Sequence, residues 1–374
     1  MTAVLCLCLP QSSLYAAAGD TAPAIFSCDD PGMVLAPYVW KHLKDGSVPL
    51  IEASMPGAYF KTIARGTSTI GVRIDGTANT GNPAETMPSV EYSIDHGDFK
   101  TIQLSQTNAI YTLPLATGLD AAGEHECDFY FRSADLEQKR WHSSTAHLRL
   151  AGLVLDAGGS LQAPPARPKR AIAYGDSITE GVGAEGLFKS WTAIGVNNAR
   201  VTWFPVVCAA LNCEYGQIGT GGFGVSNAKL EVPPLMEVWD HYDAATSRLE
   251  DGLLQPEPDY VFCELGTNDP GLDITHDFIR WLIAMRKACP HAKFFCIVPP
   301  LGVHEEEVKR AVNDRNKAGD SGVYLIPTAR LKDGFRAGHG STEFGYDGVH
   351  PSVYGHAMLG ALIAAETQKL ISNE

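Results

Sequence analysis

The chain lacks a basic surface: 29 Lys and Arg stand against 43 Asp and Glu, a formal charge of −14 over 374 residues. Nucleic-acid binding needs a cationic footprint that displaces counterions from phosphates, and no basic run with interleaved aromatics occurs, so no nucleic-acid partner is expected. Long apolar runs are missing too. Past the first eighteen residues nothing approaches the roughly 20 apolar residues of a spanning helix, so no stable membrane insertion is expected. Paired cysteines are absent as well. Of nine, Cys6 and Cys8 lie at the start, and the other seven are irregularly spaced with no CxxC, which argues against a disulfide framework and a thiolate zinc site. Cys263 and Cys296 sit in apolar, strand-like text and read as buried thiols.

Metal-ligand spacing is equally scarce. His304-Glu305-Glu306-Glu307-Val308 opens like HExxH but has no second histidine, and reads as a solvated helix start. His241, His276 and His291 show no ligand spacing. No metal and no cofactor are expected.

What is present falls into two texts. With 45% hydrophobic and 19% charged residues the chain is globular, and its length suits two domains, each with its own core. The first eighteen residues, MTAVLCLCLPQSSLYAAA, read as a signal-peptide remnant without its charged leader, making a secreted or periplasmic protein the expectation. From about 50 to 155 the pattern alternates, as in Ile70–Asp75, Val90–Ile94, Phe99–Leu104, Cys127–Arg132 and His147–Leu150. Short strands without helical text between them predict an antiparallel β-sandwich accessory domain at 22–156. A Gly- and Pro-rich linker is expected at 157–167.

From 168 to 374 the pattern is α/β. Apolar runs at Ala171–Tyr174, Tyr215–Ile218, Tyr260–Leu265, Phe294–Val298 and Val323–Ile326 are separated by helical text near 199–212, 275–289, 304–317 and 352–372. That alternation predicts a parallel sheet covered on both faces, whose ligands bind beyond the carboxyl ends of the strands. Ser177, the glycine loop at 219–224 and Asn268 each follow a strand, so they should share one rim.

Tyr174-Gly175-Asp176-Ser177-Ile178-Thr179-Glu180-Gly181 places a serine at a strand-to-helix turn. A serine hydroxyl is a weak nucleophile and needs an adjacent base, itself oriented by a third group. His350, with Asp347 three residues before it, supplies both. Attack on an ester carbonyl builds charge on oxygen, and the amides of Ser177 and Gly222 with the Asn268 side chain are the expected oxyanion hole. Each residue has a plainer use. Ser177 alone could cap a helix, and Asn268 could form a turn, as Asp269 is expected to do. Asp176 is expected to organise the serine turn through hydrogen bonds. Gly219-Thr220-Gly221-Gly222-Phe223-Gly224 also matches the dinucleotide fingerprint, but it follows the second strand of the unit rather than the first. Phe188, Trp191, Trp203 and Phe223 read as packing residues, His356 as packing or surface, His339 as incidental, and Tyr346 as a cleft-rim residue.

Four blocks in order, Gly175-Asp176-Ser177-Ile178, Gly221-Gly222-Phe223-Gly224, Gly266-Thr267-Asn268-Asp269 and Asp347-Gly348-Val349-His350-Pro351, resemble the SGNH (GDSL) hydrolase superfamily. The resemblance implies a flavodoxin-like three-layer fold, no cofactor and an acyl-enzyme route. The run of glycines leaves Gly221 or Gly222 open as donor, with Gly222 preferred. An N-terminal sandwich, jelly-roll-like, with Met55–Phe60 and Arg65–Ser68 ahead of strand text, is similar to two-domain acetylesterases of carbohydrate esterase family 2. That likeness implies an acetylated polysaccharide or oligosaccharide, xylan or mannan in type, as substrate. A lipid or lysophospholipid esterase on the same triad is the alternative, and a non-catalytic carbohydrate-binding protein is the alternative of another class.

Overall fold

The structure, a computed structural model, describes residues 22–43, 46–136, 140–143, 145–186, 194–227, 232–328, 345 and 347–372. The expected leader, Phe188, Trp191, His339 and Tyr346 lie outside them.

The alternating text folds as two antiparallel sheets. One holds β1 (Ala24–Ser27), β3 (Lys41–Leu43), β4 (Leu50–Ala53), β6 (Thr69–Asp75), β9 (Ile110–Thr117) and β11 (Leu148–Leu155). The other holds β2 (Met33–Leu35), β5 (Tyr59–Arg65), β7 (Ser89–Ile94), β8 (Lys100–Gln103), β10 (Glu124–Ser133) and β12 (Ser160–Gln162). Successive side chains on a strand leave on opposite faces, so Ile70, Val72 and Ile74 of β6 and Cys127, Phe129 and Phe131 of β10 reach one shared cluster. The stretch expected as a bare linker is partly a strand: β12 pairs with β5, Ser160 opposite Arg65. Pairing there satisfies backbone groups that glycine and proline content alone leaves unassigned.

The second half forms a five-stranded parallel sheet. Its strands are β13 (Lys169–Gly175), β14 (Cys213–Gly219), β17 (Tyr260–Glu264), β18 (Lys293–Ile297) and β19 (Val323–Ile326), in the order β14-β13-β17-β18-β19. A small hairpin, β15 (His241–Asp243) with β16 (Thr246–Ser247), follows β14. The helices are α1 (Ser177–Glu180), α2 (Trp203–Leu211), α3 (Leu235–Val238), α4 (Thr275–Ala288), α5 (Glu305–Lys317) and α6 (Val353–Ser372). Near-continuous apolar strands bury both faces. Ala171, Ala173 and Phe262 join Trp203, Phe204 and Leu359 of α2 and α6. Ile172, Tyr174 and Val261 join Phe278, Trp281 and Val308 of α4 and α5. The run at 304–308 is a helix start: Glu305, Glu306 and Glu307 fill the first turn of α5 and Arg315 and Lys317 the last, complementing its dipole.

The two halves do not keep separate cores, which corrects the expectation of one core each. Tyr59 of β5 and Tyr215 of β14 sit in one cluster with ring centroids 5.0 Å apart, and Phe204 of α2 lies 5.4 Å from Tyr215. Polar contacts reinforce the junction. Lys41 pairs with Asp243 at 2.5 Å and with Glu52 at 2.6 Å, and Arg132 pairs with Glu185 at 2.5 Å.

Candidate active site

Strand β13 ends at Gly175, and Asp176 caps α1 by accepting the Ile178 N–H at 2.9 Å. The turn is tight. A Cβ on residue 175 would lie 1.9 Å from Thr179 Oγ1, so only glycine fits there. Ser177 is the first residue of α1 and 6% exposed, and its amide donates to no other described residue. That free N–H at a helix start is one of the orphan donors every helix carries.

The loop before α6 returns to this point. His350 Nε2 stands 2.8 Å from Ser177 Oγ, and Nδ1 stands 2.5 Å from Asp347 Oδ2. Asp347 Oδ1 also accepts the N–H groups of Val349 and His350 at 2.9 and 2.8 Å, which pins the carboxylate. With Asp347 accepting at Nδ1, that nitrogen carries the proton and Nε2 accepts from the serine hydroxyl. Burial pushes the Asp347 carboxyl up, but the hydrogen bond and charge of His350 and the two amides outweigh it and hold it at about 2.

Asn268 follows β17 on the same rim. Its Nδ2 donates to Phe223 O at 3.0 Å and to Asp176 Oδ2 at 3.2 Å. Both of its hydrogens are therefore engaged at rest, the second more weakly. The glycine run resolves into two different amides. Gly221 donates to Glu180 Oε2 at 2.6 Å, whereas Gly222, at φ 79°, donates to no other described residue. Asp269 does more than the turn expected of it. Fully buried, its carboxylate accepts the amides of Val225, Ser226 and Asn227, each at 2.8 Å, and so ties the asparagine block to the segment after the glycines.

Two buried acids flank the serine turn. Burial pushes Asp176 up to about 6, against the Ile178 amide and the charge of His350. Glu264, the last residue of β17 and opposite Gly175 in the sheet, is pushed well above the carboxylate range by burial and by Asp176. It accepts from Thr179 Oγ1 at 3.2 Å, and Thr179 Oγ1 in turn accepts from Trp203 Nε1 at 3.0 Å. Trp203 and Phe223 are core residues. The His356 ring is fully buried and neither of its nitrogens has a hydrogen-bond partner among the described residues, and burial and His350 push it down to about 3.

Sequence reasoning missed three members: Glu264, Glu180 and Arg140. Glu264 had a signal, an acid closing an apolar strand just before the asparagine block. Glu180 and Arg140 had none, because their pairing at 2.6 Å joins residues 40 apart from opposite halves of the chain. Among the described residues no group of three or more His, Cys, Asp or Glu could hold a metal ion, and no helix is long and apolar enough to cross a membrane.

Residues 173–358 match the model of the GDSL-like Lipase/Acylhydrolase family. Cellulase/esterase CelE of Acetivibrio thermocellus is 27% identical over 270 residues, 68% of this chain and 31% of that protein. The chain thus spans about a third of the length of this curated relative. A family two carbohydrate esterase from Cellvibrio japonicus superposes with a TM-score of 0.75 at 17% identity, over 94% of this chain and 99% of the other. An acetyl xylan esterase, Est2A, from the rumen bacterium Butyrivibrio proteoclasticus gives a TM-score of 0.71 at 16% identity, again over 94% and 99%. At these identities the likeness is one of fold.

Proposed function

For a chain that carries a GDSL/SGNH lipase–acylhydrolase domain, we propose a serine carboxylic ester hydrolase that removes acetyl groups from acetylated polysaccharides or oligosaccharides of xylan or mannan type. The observation that carries the reading is the unbroken contact chain Ser177 Oγ to His350 Nε2 to His350 Nδ1 to Asp347, at 2.8 and 2.5 Å. Carbohydrate esterases among the structural neighbours, one of them an acetyl xylan esterase, support the substrate class.

In this reading Ser177 Oγ attacks the acyl carbonyl while its proton passes to His350 Nε2, and Asp347 steadies the imidazolium. The amides of Ser177 and Gly222 with Asn268 stabilise the tetrahedral oxyanion. The oxyanion takes over the Asn268 hydrogen now resting on Asp176 at 3.2 Å. Collapse breaks the carbonyl carbon–alkoxide bond, and His350 returns the proton to the leaving sugar hydroxyl. Water then attacks the acyl-serine with His350 as base, releasing acetate and free Ser177. No cofactor enters.

The finer architecture belongs to the same proposal. It comprises a jelly-roll-like sandwich at about 22–156, a connection at 157–167 whose strand β12 pairs back onto that sandwich, and a flavodoxin-like three-layer unit at 168–374. Strand order and the two-faced burial of the parallel sheet support it. Export rests on the leader text at 1–18. Acetate release from acetylated xylan and mannan, compared with hydrolysis of acetyl and octanoyl esters, tests the substrate. Faster turnover of the octanoyl ester would favour a lipid esterase. Ser177→Ala is expected to lose at least about a thousand-fold in kcat, and full activity in that variant would remove the catalytic assignment.

A further inference from the structure

Two described residues of the N-terminal half, Leu136 and Arg140, reach the glycine turn. Arg140, in the connection between β10 and β11, is 6% exposed, and its Nη2 donates to Glu180 Oε1 at 2.6 Å and to Thr220 Oγ1 at 3.4 Å. Arg140 is itself held: Nη1 donates to Ser54 O at 3.4 Å, and its carbonyl accepts from His147 Nε2 at 3.0 Å. Glu180 closes α1, three residues after Ser177, and is 2% exposed. Its other oxygen accepts the Gly221 N–H at 2.6 Å. Leu136, from the same N-terminal connection, covers Gly221 so closely that a Cβ there would lie 2.8 Å from Leu136 Cδ2.

A carboxylate this buried stays charged only beside a cation, and a charged acceptor binds an amide more strongly than a neutral one. Burial pushes the Glu180 carboxyl above its ordinary range, and the charge and hydrogen bond of Arg140 oppose that shift, as does the Gly221 amide. Arg140 therefore favours the charged acceptor that anchors the Gly221 amide. The next amide, that of Gly222, remains free for an oxyanion. We infer that Arg140 is a positioning residue for ester hydrolysis, contributed by the N-terminal half, which holds the Gly221–Gly222 turn through Glu180. The inference rests on the serine esterase reading and gives the N-terminal sheets a part in the chemistry.

The test compares kcat and KM per active site, titrated with a fluorophosphonate, on an aryl acetate. In Arg140→Met, kcat falls about ten- to a hundred-fold, part of what a lost oxyanion donor costs, while KM stays within about two-fold because the interaction weakened is one made in the transition state rather than with the bound ester. Two double variants remove the ion pair without stranding a charge, so they report even if the single variant fails to fold. Arg140→Met with Glu180→Gln keeps a neutral acceptor for Gly221 and recovers most of kcat. Arg140→Met with Glu180→Leu removes the acceptor and does not. Affinity for a boronic acid transition-state analogue follows kcat/KM across the set. A role in stability alone would lower Tm and the titratable fraction but leave kcat per site equal in the two double variants, and that equality overturns the inference. Ser177→Ala is measured alongside. Activity surviving there removes the esterase reading itself, whereas a dead Ser177→Ala with equal double variants removes only the role of Arg140.

Discussion

Replacing Asp347 probes the contact chain at its most sensitive joint. The carboxyl is held at about 2 against an ordinary 3.8: burial raises it, and His350 and two amides lower it by more. A depression of that size corresponds to about 2.5 kcal/mol. The side chain is 32% exposed, so solvent screening reduces this to roughly 1–2 kcal/mol, a factor of roughly 5 to 30. Asp347→Ala is expected to lose at least that factor in kcat/KM, since the imidazolium of the transition state gains more from the carboxylate than the resting imidazole does. Asp347→Asn should lose far more. Its Oδ1 keeps the amides of Val349 and His350, now at 2.9 and 2.8 Å, which turns the new NH2 toward Nδ1. Two donors then face each other, the imidazole takes the tautomer protonated at Nε2, and Ser177 loses its acceptor. The same change in a serine protease triad costs about 10⁴ in kcat, and about 10³ or more is expected here. Because the carboxyl is depressed, its contribution is complete above its ordinary value of 3.8 and is lost only as pH falls through about 2. The ratio of wild type to either variant is therefore flat from about pH 5 to 9 on its account. Initial rates on an aryl acetate across that range decide the matter. An asparagine variant as active as the alanine one refutes the tautomer argument, and an alanine variant as active as wild type refutes the energetic one.

Two further outcomes follow from buried groups. Glu264 binds its proton well above 4.5 when folded, so wild-type stability falls as pH rises from that value, because the unfolded chain has already released the proton. Glu264→Gln lacks this slope, and its Tm minus that of wild type should grow between pH 5 and pH 8 by scanning fluorimetry; a constant difference contradicts the assignment. The seven described cysteines are all buried, and burial raises their thiols. In a Cys6→Ser, Cys8→Ser background, a thiol reagent at pH 8 should label none of them before denaturant is added and all seven afterwards. Rapid labelling in the native state would show that the core opens.

Some of the molecule was written in near neighbours. Alternation in Ile70–Asp75 and Cys127–Arg132 announced strands, and the apolar runs at 171–174 and 260–265 separated by helical text announced the parallel sheet. Ser177, His350 and Asp347 were legible because a strand-to-helix turn and an Asp-Gly-Val-His loop are local patterns, and a parallel sheet delivers such turns to one rim. Other features depended on chain path. Only the folded chain distinguishes the engaged amide of Gly221 from the free one of Gly222, pairs Arg140 with Glu180, sets Asp176 near Glu264, and merges the two halves around Tyr59 and Tyr215. The reason is physical. Periodicity and turn chemistry are set by residues a few positions apart, whereas the partner of a buried charge or amide is whichever group the tertiary fold brings within about 3 Å.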